Sequence, residues 1–357
     1  MQGTTTPFSR WKIILPTIIG FGVIIFMFWQ DFFGENKAEN IEGLKKISLS
    51  WTMVFWLFIA LLLMVGRDLG FIIRYRYLTD KLLSWKQCIK VTLLAEFGSA
   101  ITPSTVGGSS MAVLFLAKEK ISVGRSTTIV FVTLFLDEMF FVVTFPFLLL
   151  FIPLDRLFMD STAIEAGVTG LFIVAYVLKL VICLGLIVGL FFKPQIIRWI
   201  LIKIFHLPFL RRWRNAAIKV GDDIVTSSRE IRGKGFSFWF PSVSATILSW
   251  CSRYLVVNAI FMAFFQVSDN LLVFARQFVM WILMVVSPTP GGSGFTEFIF
   301  KGYLAEFIPV VGLVPVIVLL WRLLTYYNYL FIGSILVPKW AAKAFGKNAE
   351  EKNIDEN

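Results

Sequence analysis

The sequence predicts an all-α, polytopic membrane protein with six spanning helices and two opposed re-entrant helical hairpins arranged as inverted repeats. Three observations lead there. The 357 residues are 57% hydrophobic and only 16% charged, too apolar for a soluble chain of that length. Several apolar runs approach or exceed the roughly 20 residues that a helix needs to cross the hydrocarbon. Two further runs are each broken by a Pro/Gly/Ser/Thr cluster, Ile101-Thr102-Pro103-Ser104-Thr105-Val106-Gly107-Gly108-Ser109-Ser110 and Ser287-Pro288-Thr289-Pro290-Gly291-Gly292-Ser293-Gly294. Pro lacks an N–H and Gly lacks a Cβ, so such clusters end helices. Within a bilayer, irregular backbone survives only where protein or a water-filled cavity satisfies its polar groups. Two breaks of one kind, one in each half, point to a substrate site between two repeats.

The elements follow in order. Residues 1–50 hold the first span, Ile13–Trp29, and a polar loop, Asp31–Ser50. The span has a short basic start (Arg10, Lys12) and no small-residue cleavage site, so it is expected to be a retained anchor. The first repeat is expected over 51–151: the second span Trp51–Ile73, a basic stretch Arg74–Lys90, the re-entrant hairpin 88–116, and the third span Thr127–Phe151. Residues 152–235 hold an acidic loop, the fourth span Val168–Phe192, and a strongly basic stretch, Lys193–Gly235. Ile196, Trp199, Ile200 and Ile204 stand at helical spacing there, so part of this stretch is expected to lie flat on the inner membrane face. The second repeat is expected over 236–337: the fifth span Phe236–Phe265, the re-entrant hairpin 271–304, and the sixth span within Pro309–Val337. Residues 338–357 form a polar tail.

Loop charge decides the topology. If each broken run crossed the membrane once, Arg74–Lys90 and Lys118–Arg125 would lie on opposite faces, though both are basic. If each run dips in and returns, every basic loop and both termini are cytoplasmic, while every balanced or acidic loop is outside. Only the second arrangement satisfies the positive-inside rule throughout. It also makes the two three-part repeats opposite in orientation. Half-helices of about 11 residues would reach about 16 Å, roughly half of the core. The bland alternative is that the breaks are kinks with small-residue packing. Two matched breaks with TP and GG elements, approached from opposite faces, favour a substrate pathway instead.

Composition also excludes classes. The net charge of +11 is accounted for by cytoplasmic loops that hold topology, so no nucleic-acid partner is expected. Cys88, Cys183 and Cys251 form no metal or redox spacing, and the single His206 argues against a histidine metal site or a Ser-His pair. No nucleotide-binding motif appears, so ATP is not an evident energy source. No cofactor, metal or catalytic residue is expected.

The candidate site residues are of two kinds. Around the breaks, half-helices are expected to start near mid-membrane, at Ser109/Ser110 and at Thr296. A helix start offers free N–H groups and a partial positive charge, which suit a phosphate. Thr102, Pro103, Gly107, Gly108, Ser109, Thr289, Pro290, Gly291 and Gly292 belong to these tips, and the glycines would let a headgroup approach the backbone. The second kind is charge inside spans, which is costly and marks function or internal ion pairs. Arg253 and Arg322 fall near the middle of the fifth and sixth spans, Asp137 and Glu138 near the middle of the third, and Glu96 and Glu297 in the re-entrant helices. Arg67-Asp68 is placed nearer the cytoplasmic end of the second span and read as interfacial. Arg74, Arg76, Arg211, Arg212 and Arg214 are read as inner-surface charges that signal topology. Arg322 is expected to face Glu297, Glu138 or a bound headgroup.

The segment Pro288-Thr289-Pro290-Gly291-Gly292-Ser293-Gly294-Phe295-Thr296-Glu297, followed by Arg322, resembles the second-half signature of the lysylphosphatidylglycerol synthase membrane-region family, also called flippase-like proteins. Thr102-Pro103-Ser104-Thr105-Val106-Gly107-Gly108, then Leu116, Gly124 and Asp137-Glu138, is similar to its first-half signature. The resemblance covers roughly Lys12 to Lys339. In two-domain members, it implies a membrane region that moves aminoacylated phosphatidylglycerol and a soluble domain that makes this lipid from aminoacyl-tRNA. Only about 20 residues follow the last span, so a membrane region without the synthase domain is expected, and tRNA use does not carry over.

The expected function is therefore movement of a phospholipid or lipid-linked headgroup between leaflets of the cell (inner) membrane, with both termini cytoplasmic. The partner would be a membrane lipid with an anionic or phosphate-containing headgroup. A homo-oligomer is compatible with this expectation. The rival classes are a membrane-embedded lipid-headgroup transferase, for which the loops offer only Asp222-Asp223, and a scaffold for a separate lipid synthase, which would leave the intramembrane charges unused.

Overall fold

The computed structural model describes residues 37–45 and 49–340 apart from 103, 159–161, 208, 285, 286, 288, 290 and 339, together with 18, 22, 25, 26, 29 and 33. Every element among them is helical, and five helices are long and apolar enough to cross a membrane: Trp51–Leu78, Val123–Leu149, Thr169–Phe192, Phe236–Phe264 and Leu313–Pro338. These correspond to the second through sixth spans expected from sequence. The first, Ile13–Trp29, falls largely outside the described residues.

A short helix α1 (Lys37–Lys45) precedes α2 (Trp51–Leu78). Ser50 caps α2 by accepting the Met53 N–H at 3.1 Å, and left-handed backbone at Asp80 and Lys81 ends the segment beyond it. At 28 residues, α2 reaches about 42 Å. The chain then forms a helical hairpin, α3 (Trp85–Ile101) and α4 (Ser104–Lys118). Its open end is closed by Glu119, which accepts from Gln87 Nε2 at 2.8 Å and from Lys90 at 3.1 Å. Next come α5 (Val123–Leu149) and α6 (Thr162–Ile187), the latter running into a π-helical turn at Val188–Phe192. Helices α7 (Gln195–Ile204) and α8 (Arg214–Arg232) follow. Helix α7 buries none of its residues, and Ile196, Trp199, Ile200 and Ile204 are all exposed along it. The second half holds α9 (Phe236–Phe264), a second hairpin α10 (Asn270–Leu283) and α11 (Phe295–Leu304), and α12 (Leu313–Arg322), which continues through a π-helical turn, Leu323–Tyr327.

The centre of the bundle is the pair α2 and α9. Gly66 faces Ser252, and Gly70 lies against Ser249 and the Ala245 carbonyl, with no room for a Cβ. Residue numbers rise along one helix as they fall along the other, so the pair is antiparallel. Small residues let the backbones approach closely, as the Gly66-x-x-x-Gly70 spacing allows. Polar contacts lock the crossing: Ser249 Oγ donates to the Arg67 carbonyl at 2.7 Å, and Arg74 donates to Thr246 Oγ1 at 3.2 Å. Against this pair, an aromatic cluster of Phe141, Trp250 and Phe278 joins α5, α9 and α10, with ring centroids 4.7–5.2 Å apart.

Ion pairs sort the loops into two ends. Asp80, after α2, accepts from Arg125 at the start of α5 and from Lys234 just before α9, each at 2.7 Å. At the other end, Arg156 beyond α5 pairs with Asp269 beyond α9 at 3.1 Å. Arg276, early in α10, pairs with Glu306 beyond α11 at 2.7 Å. Each hairpin therefore returns to the end from which it left, and the two leave from opposite ends.

Helix boundaries depart from expectation at the first hairpin. The helices have 17 and 15 residues rather than about 11, and α4 begins at Ser104, so Ser109 and Ser110 lie inside it. The two glycines therefore lie within α4 and serve helix packing. Gly107 lies against the Thr102 side chain and Gly108 against Ser99.

Candidate functional site

The two hairpin tips touch. The Gly291 N–H donates to the Thr102 carbonyl at 3.3 Å, a bond between the two motifs singled out from sequence. The Tyr326 hydroxyl reinforces the contact by donating to the Ala100 carbonyl at 3.2 Å and accepting from Ser293 Oγ at 3.2 Å. Gly291, Gly292 and Gly294 have φ of 58°, 69° and 86°, a region where a Cβ is strained. That left-handed run folds the second tip tightly enough to reach the first.

A cavity of about 260 Å³ opens beside this contact. Of the residues predicted from sequence, Thr102, Gly108, Ser109, Asp137, Arg253, Thr289, Gly291, Gly292 and Arg322 line it. Gly107 does not, being turned into the hairpin. Glu138 and Glu297 stand behind the wall, each holding a lining cation. Pro103 and Pro290 lie outside the described residues. The start of α11 also differs from expectation in its chemistry. Glu297 reaches back and accepts the Gly294 N–H at 2.8 Å, so the protein's own carboxylate serves that helix start.

Charge is arranged in pairs. Arg322 Nε donates to Glu297 at 2.7 Å; the two side chains are 5% and 0% exposed. Arg74 makes two hydrogen bonds to Asp137, at 2.5 and 3.2 Å, and Trp250 Nε1 adds a third at 2.8 Å. Lys179, on α6, holds Glu138 at 3.0 and 3.1 Å. Arg67 holds both Glu96, at 2.5 Å, and Asp68, at 2.8 Å, and Tyr329 donates to Asp68 at 2.7 Å. Arg253 stacks on Trp281, its guanidinium carbon 3.9 Å from the ring centroid.

Two placements made from sequence are corrected. Arg67 and Arg74 are each 1% exposed and line the cavity; they are neither interfacial nor surface charges. Seven residues apart, they share a face of α2, with Phe71 between them and ring-to-guanidinium distances of 4.9 and 4.7 Å. Lys179 was not singled out. Its signal was plain, a lone cation in the middle of the apolar run Val168–Phe192. The aromatic wall of Trp250, Trp281, Tyr326 and Tyr329 could not be told from lipid-facing aromatics by periodicity, because a span is apolar on all sides. The π-helical turn directly after Arg322 carries Thr325 and Tyr326 into the wall, a common location for such turns.

Apolar helices surrounding a charged cavity, closed by two hairpins that meet tip to tip, define a polytopic membrane protein built round a polar internal site. The chain matches the family of lysylphosphatidylglycerol synthase transmembrane regions over residues 13–333 and belongs to that family. It is also similar to a UPF0104 membrane protein of Archaeoglobus fulgidus, 26% identical over 307 residues that cover 81% of this chain and 89% of that protein.

Proposed function

We propose that this protein moves a phospholipid or lipid-linked headgroup between the leaflets of the cell membrane, as a transporter rather than an enzyme. In this reading the hairpins α3–α4 and α10–α11 are re-entrant. They dip into the bilayer from the cytoplasmic and outer sides and belong to inverted repeats around the cavity. The first span, Ile13–Trp29, brings the number to six, and both termini are cytoplasmic. The observation that carries the reading is the Gly291–Thr102 contact between tips approaching from opposite ends, with a charged cavity beside it. A polar chamber at that depth is costly unless a polar ligand uses it. The family's name, which couples the membrane region to a lipid synthase, supports a lipid as that ligand.

The test is reconstitution into liposomes carrying a fluorescent phospholipid, with dithionite bleaching of the outer leaflet. Purified protein is expected to make more than half of the label accessible without ATP, against half in empty vesicles. A strict ATP requirement, or accessibility that stays at one half for phosphatidylglycerol, phosphatidylethanolamine and phosphatidic acid alike, would remove the reading.

A further inference from the structure

We propose that Arg253, braced by Trp281 and Trp250, is the group that binds the phosphate oxyanion of the headgroup, while the other cavity cations serve as internal ion pairs. The inference deepens the translocation reading and rests on it.

Five cationic side chains line the cavity: Arg67, Arg74, Lys179, Arg253 and Arg322. Four are held by carboxylates at 2.5–3.0 Å. Arg253 alone among them has no carboxylate or hydrogen-bond partner among the described residues. It lies well inside the 29-residue helix α9, where an uncompensated charge is costly. Its contacts are aromatic, with the guanidinium carbon 3.9 Å from the Trp281 centroid and 5.7 Å from that of Trp250.

Geometry makes this stacking compatible with anion binding. A ring engages the flat face of a guanidinium, whereas its five N–H donors lie in the plane. Stacking therefore holds Arg253 without using the donors that would grip two phosphate oxygens in parallel. Trp250 is itself fixed, since its indole N–H donates to Asp137, so the aromatic support is tied to the ion-pair framework. The obvious competing anion sites are already engaged: the Gly294 N–H is taken by Glu297 and the Gly291 N–H by Thr102.

The shared ligand chemistry is a phosphate oxyanion, and two probes separate its sources: dioctanoyl phosphatidylglycerol and inorganic phosphate. Each is titrated by calorimetry into purified full-length protein in neutral detergent. Arg253→Gln is expected to weaken lipid binding at least tenfold and keep the thermal midpoint within about 3 °C. Arg253→Lys is expected to restore part of the affinity. Lipid is expected to bind more tightly than inorganic phosphate; equal affinity would assign the site to a soluble anion and overturn the headgroup assignment. Unchanged lipid affinity in Arg253→Gln, or wild-type protein that binds neither probe, would overturn the role of Arg253. The liposome assay distinguishes the two readings. Wild-type protein that binds lipid through Arg253 but does not move it overturns translocation and leaves the anion site standing. Arg253→Gln protein that moves lipid at the normal rate does the reverse.

Discussion

Glu297 is wholly buried, and its cationic partner among the described residues is Arg322, which also reaches the Gly291 carbonyl at 3.4 Å. Removing one member of a buried pair leaves the other charge uncompensated, at a cost of about 3–5 kcal/mol, whereas removing both can be near neutral. Arg322→Ala should therefore lower stability in detergent strongly, and Arg322→Met with Glu297→Gln should recover most of the loss. Chemical unfolding of the two single variants and the double variant measures the coupling. Arg322→Lys should rescue only part, because an ammonium cannot reach both partners in one plane. Gly292 tests the tip. Its φ of 69° alone makes Ala cost about 1–2 kcal/mol, and a Cβ would also meet Thr296 Oγ1 and Met284 Cε. Gly292→Val should thus lose both lipid movement and thermal stability, the packing outcome rather than a purely functional one. Loss of transport with an unchanged thermal midpoint would show that the tip tolerates the strain.

Among the helices, the antiparallel α2–α9 crossing depends on residues too small to register as a hydrophobic pattern. Gly70 lies against Ser249 and the Ala245 carbonyl, whereas a Cβ on Gly170 in α6 would meet nothing within 4 Å. Gly70→Leu should cost about 1–3 kcal/mol or more by overpacking, and Gly170→Leu should be close to neutral. Equal thermal midpoints for the two variants would show that the crossing does not depend on close approach. The five described spans were legible because a membrane span is a long apolar run, whatever it packs against. The hairpin helices were legible as broken runs, but not in length. Gly107 and Gly108 read as a break, yet they lie within α4, where small residues let α3 and α4 pack closely.

At the level of the assembled bundle, the loops divide by charge. Asp80 gathers Arg125 and Lys234 at one end, and Arg156 meets Asp269 at the other. The positive-inside argument assigns the first end to the cytoplasm. Single cysteines at Asp155 and Gly233, in a background with Cys88, Cys183 and Cys251 replaced, should label from opposite sides of the membrane. An impermeant thiol reagent on intact cells should modify only the first. Modification of both would overturn the assignment.

The membrane class, the five described spans and the two broken runs were present in the order of apolar and helix-breaking residues, because burial in lipid acts on each segment alone. The meeting of Thr102 with Gly291 was foreshadowed by the matched motifs. Of the partners of the intramembrane charges, Glu297 was among the alternatives expected for Arg322, and the others were not foreshadowed. Glu297 and Arg322 are 25 residues apart and Arg74 and Asp137 are 63 apart, and no spacing rule links such positions. Which cation keeps a carboxylate and which is left to stack on tryptophan follows from how nine helices converge on one cavity. Pairing energy depends on distances of a few ångströms that arise only when the helices are packed.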